Sequence, residues 1–348
     1  MTERGQSAGT PSAGGDDDDT EMLEVDPGAE GGHQSEDTEP ETSDKNSGVT
    51  STRSLVGSIL HYPVENGRRY SDSGPDAYFM PNDEIEQTRL NVMHSMYLYL
   101  LDGQLSLAPV PPEPKKILDV GTGTGEWAIG MAETYPFADV TGIDLSAIQP
   151  SAVPSNVFFE VDDIEQEWSF GAVFDFIHLR NLSGSFKSWS NIYKECYRHL
   201  QPGAYLEVID FDHMYAPKSS SDSYVYIMIA AMREAAEKSG REWGIGHLKR
   251  NVLEAAGFRE VTTKIFTVPV GTWPGDATQK TIGKLWLICL LEGLEAVSLR
   301  LLTRELGWEA EQVRDLCRKV TLELKDGNLQ ASSPVHYVTA RKPLNPSQ

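Results

Sequence analysis

Three glycines at alternate positions, Gly121, Gly123 and Gly125, follow the apolar run Ile117-Leu118-Asp119-Val120. Glycine lets the chain turn sharply and lets a ligand come close to the backbone. A helix beginning near Glu126 aims its free amides at the same point, which suits a phosphate or a carboxylate. The pattern departs from the dinucleotide fingerprint GxGxxG, because the third glycine comes one position early and Glu126 holds the place that the fingerprint gives to glycine. An acid there repels a pyrophosphate but tolerates a ligand carrying an ammonium or sulfonium charge.

Carboxylates follow at the ends of the next apolar runs. Asp144 closes Gly142-Ile143-Asp144, 19 residues after Gly125, and can accept both hydroxyls of an adenosine ribose there. Asp162-Asp163 can accept from an adenine amino group. Phe174-Asp175-Phe176-Ile177-His178 reads as a strand whose carboxyl end faces the same ligand. It offers His178 as a general base, since a histidine titrates near neutral pH; a histidine that fixes the following loop by hydrogen bonding fits equally. His213 is a second base candidate, and His94 reads as structural. Tyr62, Tyr70 and Tyr78 could close over a ligand or simply pack, and Trp127, Trp243, Trp273 and Trp286 carry the same two readings.

The elements that must position these groups alternate. Strands are expected over 116–120, 139–143, 157–160, 174–179 and 204–211, with helices over 126–135 and 188–200 between them. Strand and helix in alternation imply a parallel sheet covered on both faces. Ahead of it, Pro81-Asn82-Asp83-Glu84 starts a helix that Gly103 ends. Beyond it, helices are expected over 221–239, 247–256, 276–296 and 309–324, and strands over 259–268 and 334–341. The organisation expected is an acidic disordered tail over 1–50, an N-terminal segment and helix over 51–108, and the α/β domain over 109–348, with acceptor-site helices within 212–330.

Charge supports this division. The net charge is −22, of which about −12 falls within residues 1–50, so the α/β part is only mildly acidic. No basic stripe marks a nucleic-acid partner. The tail reads either as a solvated extension or as an interaction segment. The scattered Cys196, Cys289 and Cys317 make neither a disulfide framework nor a metal set, and the histidines show no ligand spacing. The N-terminus lacks a secretory pattern, and the most apolar run, 285–291, is far too short to cross a bilayer. A cytoplasmic or nuclear protein, neither secreted nor membrane-bound, is therefore expected.

The set DVGTGTG at 119–125, GID at 142–144, and DD at 162–163 twelve residues before FD resembles the class I S-adenosylmethionine-dependent methyltransferases. More narrowly it resembles the fungal LaeA-type methyltransferases, through 78–84, Arg89-Leu90, His94, 123–129, 144–150, 174–180, 200–204 and 340–343. The resemblance spans roughly residues 60–343. It implies a Rossmann-like class I sheet with S-adenosyl-L-methionine as methyl donor. Asp119 and the backbones of Gly121 and Gly123 would hold the methionine part, Asp144 the ribose, Asp163 the adenine amino group, and Ile164 the ring through its amide. Gly125 and Leu145 complete the implied cofactor-binding set. Gly130 departs from the usual Asp and Ala147 from a common Pro, both at places not expected to touch the cofactor. The Asp144-Leu145-Ser146 and Asp162-Asp163 forms look more like members that accompany metabolite gene clusters than like the founding global regulator.

Methyl transfer needs a close, aligned nucleophile, and a base only where the acceptor must lose a proton. Three functions compete: a methyltransferase acting on a small molecule in fungal secondary metabolism, a LaeA-like regulator acting in a nuclear protein complex, and a nicotinamide-dependent oxidoreductase. Calorimetric titration separates the last from the others. We expect S-adenosylhomocysteine to bind and NAD not to bind. We further expect Gly123→Val to abolish donor binding and Asp144→Ala to weaken it by about 1–3 kcal/mol, the worth of charge-assisted hydrogen bonds. Unchanged affinity in both variants would refute the site.

Overall fold

A computed structural model of the chain describes residues 62–72, 78–171, 173–218 and 222–344. The acidic tail expected over 1–50 lies outside the described residues. Short strands β1 (Val64–Glu65) and β2 (Arg68–Arg69) precede helix α1 (Glu84–Leu100). Then come β3 (Lys116–Val120), α2 (Glu126–Thr134), β4 (Asp139–Asp144), β5 (Val157–Val161), β6 (Phe174–Arg180), α3 (Trp189–His199) and β7 (Leu200–Phe211). The last part holds α4 (Tyr224–Ser239), α5 (Arg250–Ala255), β8 (Arg259–Pro269), α6 (Ala277–Glu305), α7 (Ala310–Lys325) and β9 (Ser332–Arg341).

Seven strands form one sheet in the order β5-β4-β3-β6-β7-β9-β8. The first five run parallel, as their alternation with helices requires, and β9 runs antiparallel to both β7 and β8. The reversal has a simple cause. β8 ends at Pro269, which pairs with Ser332; the α6–α7 excursion returns the chain to that same end, so β9 must run back along β8.

Side chains alternate faces along each strand. On one face Leu118, Ile177, Leu179, Leu206 and Val208 pack with Trp189, Ile192 and Leu253 of α3 and α5. On the other, Ile117, Val140 and Phe176 meet Trp127 and Met131 of α2. Further along that second face, Ile209, Val335 and Tyr337 meet α1, α4, α6 and α7. Helices thus cover both faces of a class I methyltransferase-type sheet.

The helix starts are written in capping residues. Asp83, Ser188, Ser223 and Asp276 each accept a backbone N–H in the first turn of α1, α3, α4 and α6, which satisfies a donor the helix leaves free. Asp83 is also gripped by Arg68, at 2.6 and 2.9 Å, which fastens the β1–β2 turn to α1. α6 continues to Glu305, nine residues past the expected stop at 296. The sequence disguises this extension, because Arg300 interrupts the apolar stripe yet is buried. Its guanidinium donates to Glu65 and to the carbonyls of Asp72 and Tyr78, and lies over the Tyr70 ring. The helix expected over 247–256 resolves into a 3-10 turn, Ile245–Leu248, and the short α5.

Gly283 of α6 lies against the turn after β8, where Gly271 N–H donates to its carbonyl at 2.9 Å. A Cβ on Gly283 would fall 2.1 Å from the Gly271 carbonyl oxygen, and backbone cannot rotate aside as a side chain can. We expect Gly283→Ala to destabilise the fold by about 1–3 kcal/mol, the cost of overpacking, in chemical denaturation. An unchanged midpoint would show that α6 is free to shift.

Candidate active site

The carboxyl ends of β3, β4, β6 and β7 open on one cleft, made of two cavities that meet at Tyr78, Gly121, Asp144 and Leu182. One, about 600 Å³, is bordered by Asp144, Leu145, Asp162, Asp163 and Ile164. The other, about 390 Å³, runs from Asp119 and the glycine turn between α4, α6 and α7.

The glycine turn is held from both sides. Gly123 N–H donates to Asp144 Oδ2 at 2.8 Å, and Asp144 Oδ1 accepts from Ser146 N–H at 3.0 Å. Gly121 takes a positive φ of 70°, and a Cβ there would fall 2.5 Å from Leu182. Gly125, at the start of α2, borders neither cavity. A Cβ on it would strike Phe159 at 2.4 Å, so its role is the close approach of α2 to β5.

Burial pushes the Asp144 carboxyl up to about 6, against the pull of the Gly123 and Ser146 amides, and the negative charge of Asp119 adds to the rise. Asp119 is buried, with Oδ2 accepting from Thr122 Oγ1 and Oδ1 lying 2.7 Å from His178 Nδ1. Asp163 accepts from Glu165 N–H and Gln166 Nε2 and borders the larger cavity with Ile164.

His178 does not border the cleft. It is fully buried and stacks on Trp127 at 3.7 Å between centroids and 3° between planes. Burial holds its pKa below the usual value, against the pull of Asp119, so the ring is neutral at neutral pH and presents Nδ1–H to the carboxylate. In this position it orients Asp119 and has no route to an acceptor's proton. The other base candidates are nearer: His94 and His213 both border the cavity. His94 is pushed down to about 3 by burial and by Arg180, whose Nη2 lies 3.2 Å from its Nδ1, so it accepts a proton poorly. Burial also lowers His213.

The aromatics divide. Tyr78, Trp127, Trp243 and Trp286 line the smaller cavity, with Trp286 stacked on Phe211 at 4.0 Å. Tyr70 is buried under Arg300, Tyr62 accepts from Ala147 N–H, and Trp273 donates to Ala331 O away from the cavity. Sequence reading missed Asn82, which donates to Ser146 Oγ, and the buried Glu86–Arg89 pair on α1, which faces the same cavity. It also missed Asp210 at the end of β7; its one signal was an acid at the tip of a parallel strand. Among the described residues no cluster of His, Cys, Asp or Glu could hold a metal ion, and no helix is long and apolar enough to cross a membrane.

The cleft fits an adenosyl sulfonium. Gly121 leaves no room for a side chain of its own, Asp119 and Asp144 supply negative charge, and acids stand at the tips of β4 and β5, where a nucleoside would lie. Fold and site together define an S-adenosylmethionine-dependent methyltransferase of class I. Residues 93–262 match the family model described as a methyltransferase domain. The methyltransferase pytC of Aspergillus terreus is 39% identical over 298 residues, covering 84% of this chain and 92% of pytC. The secondary metabolism regulator LAE1 of Cochliobolus heterostrophus is 38% identical over 292 residues, covering 80% of this chain and 94% of LAE1. A phosphoethanolamine N-methyltransferase of Haemonchus contortus, solved with S-adenosylhomocysteine, superposes with a TM-score of 0.43 at 16% identity, over 77% of this chain and 60% of that one. The chain belongs to the fungal methyltransferase family that includes pytC and LAE1.

Burial raises the Asp144 carboxyl to about 6, so if its carboxylate is what holds the donor's ribose, donor affinity should rise as pH passes upward through about 6. Calorimetry with S-adenosylhomocysteine from about pH 5 to 8 tests this, and Asp144→Asn should flatten the profile. A wild-type affinity independent of pH would remove Asp144 from the ribose.

Proposed function

We propose that this methyltransferase acts on a small molecule in fungal secondary metabolism. Asp119 and the backbones of Gly121 and Gly123 hold the methionine part of the donor, and Asp144 and Leu145 hold its ribose. Asp163 and the Ile164 amide hold the adenine, and Gly125 sets the angle of α2. When bound, S-adenosylmethionine supplies a methyl group on a positively charged sulfur, already attached to a good leaving group. The protein's part is then to seat the nucleophile close and in line and to exclude water.

The observation that supports this reading is the apolar extension of the smaller cavity. Beyond the glycine turn its walls are Met228, Met232, Trp286, Leu290, Leu294 and Val320. An apolar pocket running between helices from the glycine turn suits a small, mostly apolar acceptor. Its walls on α4, α6 and α7 favour a small acceptor over an extended protein chain. The regulator reading rests on LAE1, whose name describes it as a regulator. It asks for a protein partner and places the chain in the nucleus.

Purified protein incubated with methyl-labelled donor decides between them. Label is expected in extracted metabolites of a producing strain and absent from its proteins. Label in protein alone would favour the regulator reading.

A further inference from the structure

A second buried Asp–His pair stands on the acceptor side of the same cleft. Asp210, 2% exposed at the end of β7, borders the smaller cavity. Its Oδ1 accepts from Ser183 N–H at 3.1 Å, and its Oδ2 lies 3.2 Å from His247 Nε2, in contact though off the line of a good hydrogen bond. His247 is itself buried, stacks on Trp189 at 3.7 Å and 8°, and meets the Tyr193 hydroxyl through Nδ1 at 2.8 Å.

The arrangement repeats that of Asp119, His178 and Trp127 two strands away. A lone pair facing a carboxylate is repelled, so the His247 ring turns an Nε2–H toward Asp210 and leaves Nδ1 to accept from Tyr193. Burial and the Asp210 charge hold the Tyr193 pKa well above its usual value, so the hydroxyl keeps that proton. The backbone amide and the histidine thus face the Asp210 carboxyl at the cavity wall, and the tyrosine fixes the ring behind it.

On the methyltransferase reading above, we propose that Asp210 is the acceptor-binding carboxylate: it takes the hydrogen bond of an O–H or N–H on a mostly apolar acceptor, and His247 and Tyr193 are positioning residues behind it. Where the nucleophile must lose its proton, the O–H or N–H bond breaks as a new O–H bond forms on Asp210, and the carboxyl returns the proton to water after product leaves. Asp119, Asp144, Asp212 and Glu86 border the same cavity, against Arg89, already paired with Glu86, and Arg180. This excess of negative charge selects neutral or cationic acceptors and rejects organic acids.

The test measures binding rather than turnover. Full-length protein saturated with S-adenosylhomocysteine is titrated with 2-naphthol and with 2-naphthoate, which share an apolar body and differ in their polar group. Wild type should prefer 2-naphthol by at least about tenfold, a fold-change in keeping with a charge-assisted hydrogen bond. Asp210→Asn should erase most of that preference while S-adenosylhomocysteine affinity and the melting temperature stay near wild type. If Asp210→Asn does not fold, Tyr193→Phe, which removes the donor that fixes His247, should reduce the preference several-fold. Equal binding of the two probes, binding of neither, or a preference untouched in the folded variant overturns the proposal. Failure to bind S-adenosylhomocysteine at all would instead sink the methyltransferase reading on which it rests.

Discussion

Carboxylates gathered in one cleft repel each other, and each has to be stabilised by donors fixed in the fold. Asp144 has the amides of Gly123 and Ser146, Asp119 has Thr122 and His178, and Asp210 has the Ser183 amide, with the His247 ring in contact 3.2 Å away. A buried charge without such partners would neutralise itself or unfold its surroundings. Asp144 shows the balance: burial and Asp119 raise its carboxyl to about 6, and the two amides restrain the rise. The parallel sheet makes this possible, because it brings several strand ends, and the turns that follow them, to one edge.

The sheet's second face carries the other half of the site. Trp127 and His178 stack where α2 meets β6, so the side chain that orients Asp119 is itself immobilised by packing. On the acceptor side α4, α6 and α7 have their own apolar cluster, and the cavity runs through it rather than over its surface. The segment before α1 is tied down by charge. Glu65 is shared by Arg300 and Arg304, and Asp83 is held by Arg68, which together bring Tyr78 against both cavities. Breaking the buried Arg300 contacts would expose an uncompensated charge inside α6, which is why a helix that long tolerates an arginine at its apolar face.

The amino-acid sequence alone determined the parallel part of the sheet and the donor cleft. Those features are local: alternating burial, a glycine turn after Val120, and acids at strand ends leave marks within a few residues of one another. It also carried the start of α1 at Asn82-Asp83, where Asp83 proves to be the cap, since a cap needs only its own first turn. Tertiary structure decided the rest. His178 reads in sequence equally as a base or as a histidine that fixes the following loop, and its register opposite Asp119 and the stacking of Trp127 bury it away from the cleft. Asp210, His247 and Tyr193 are distant in sequence and meet only because β7, the 3-10 turn and α3 converge. The full length of α6 and the reversal of β9 were likewise hidden. One depends on Arg300 finding partners more than 200 residues away, and the other on which end of the sheet a helical excursion returns to. Contacts between residues far apart in sequence have no local signature, and here they determine which acids border the cavity.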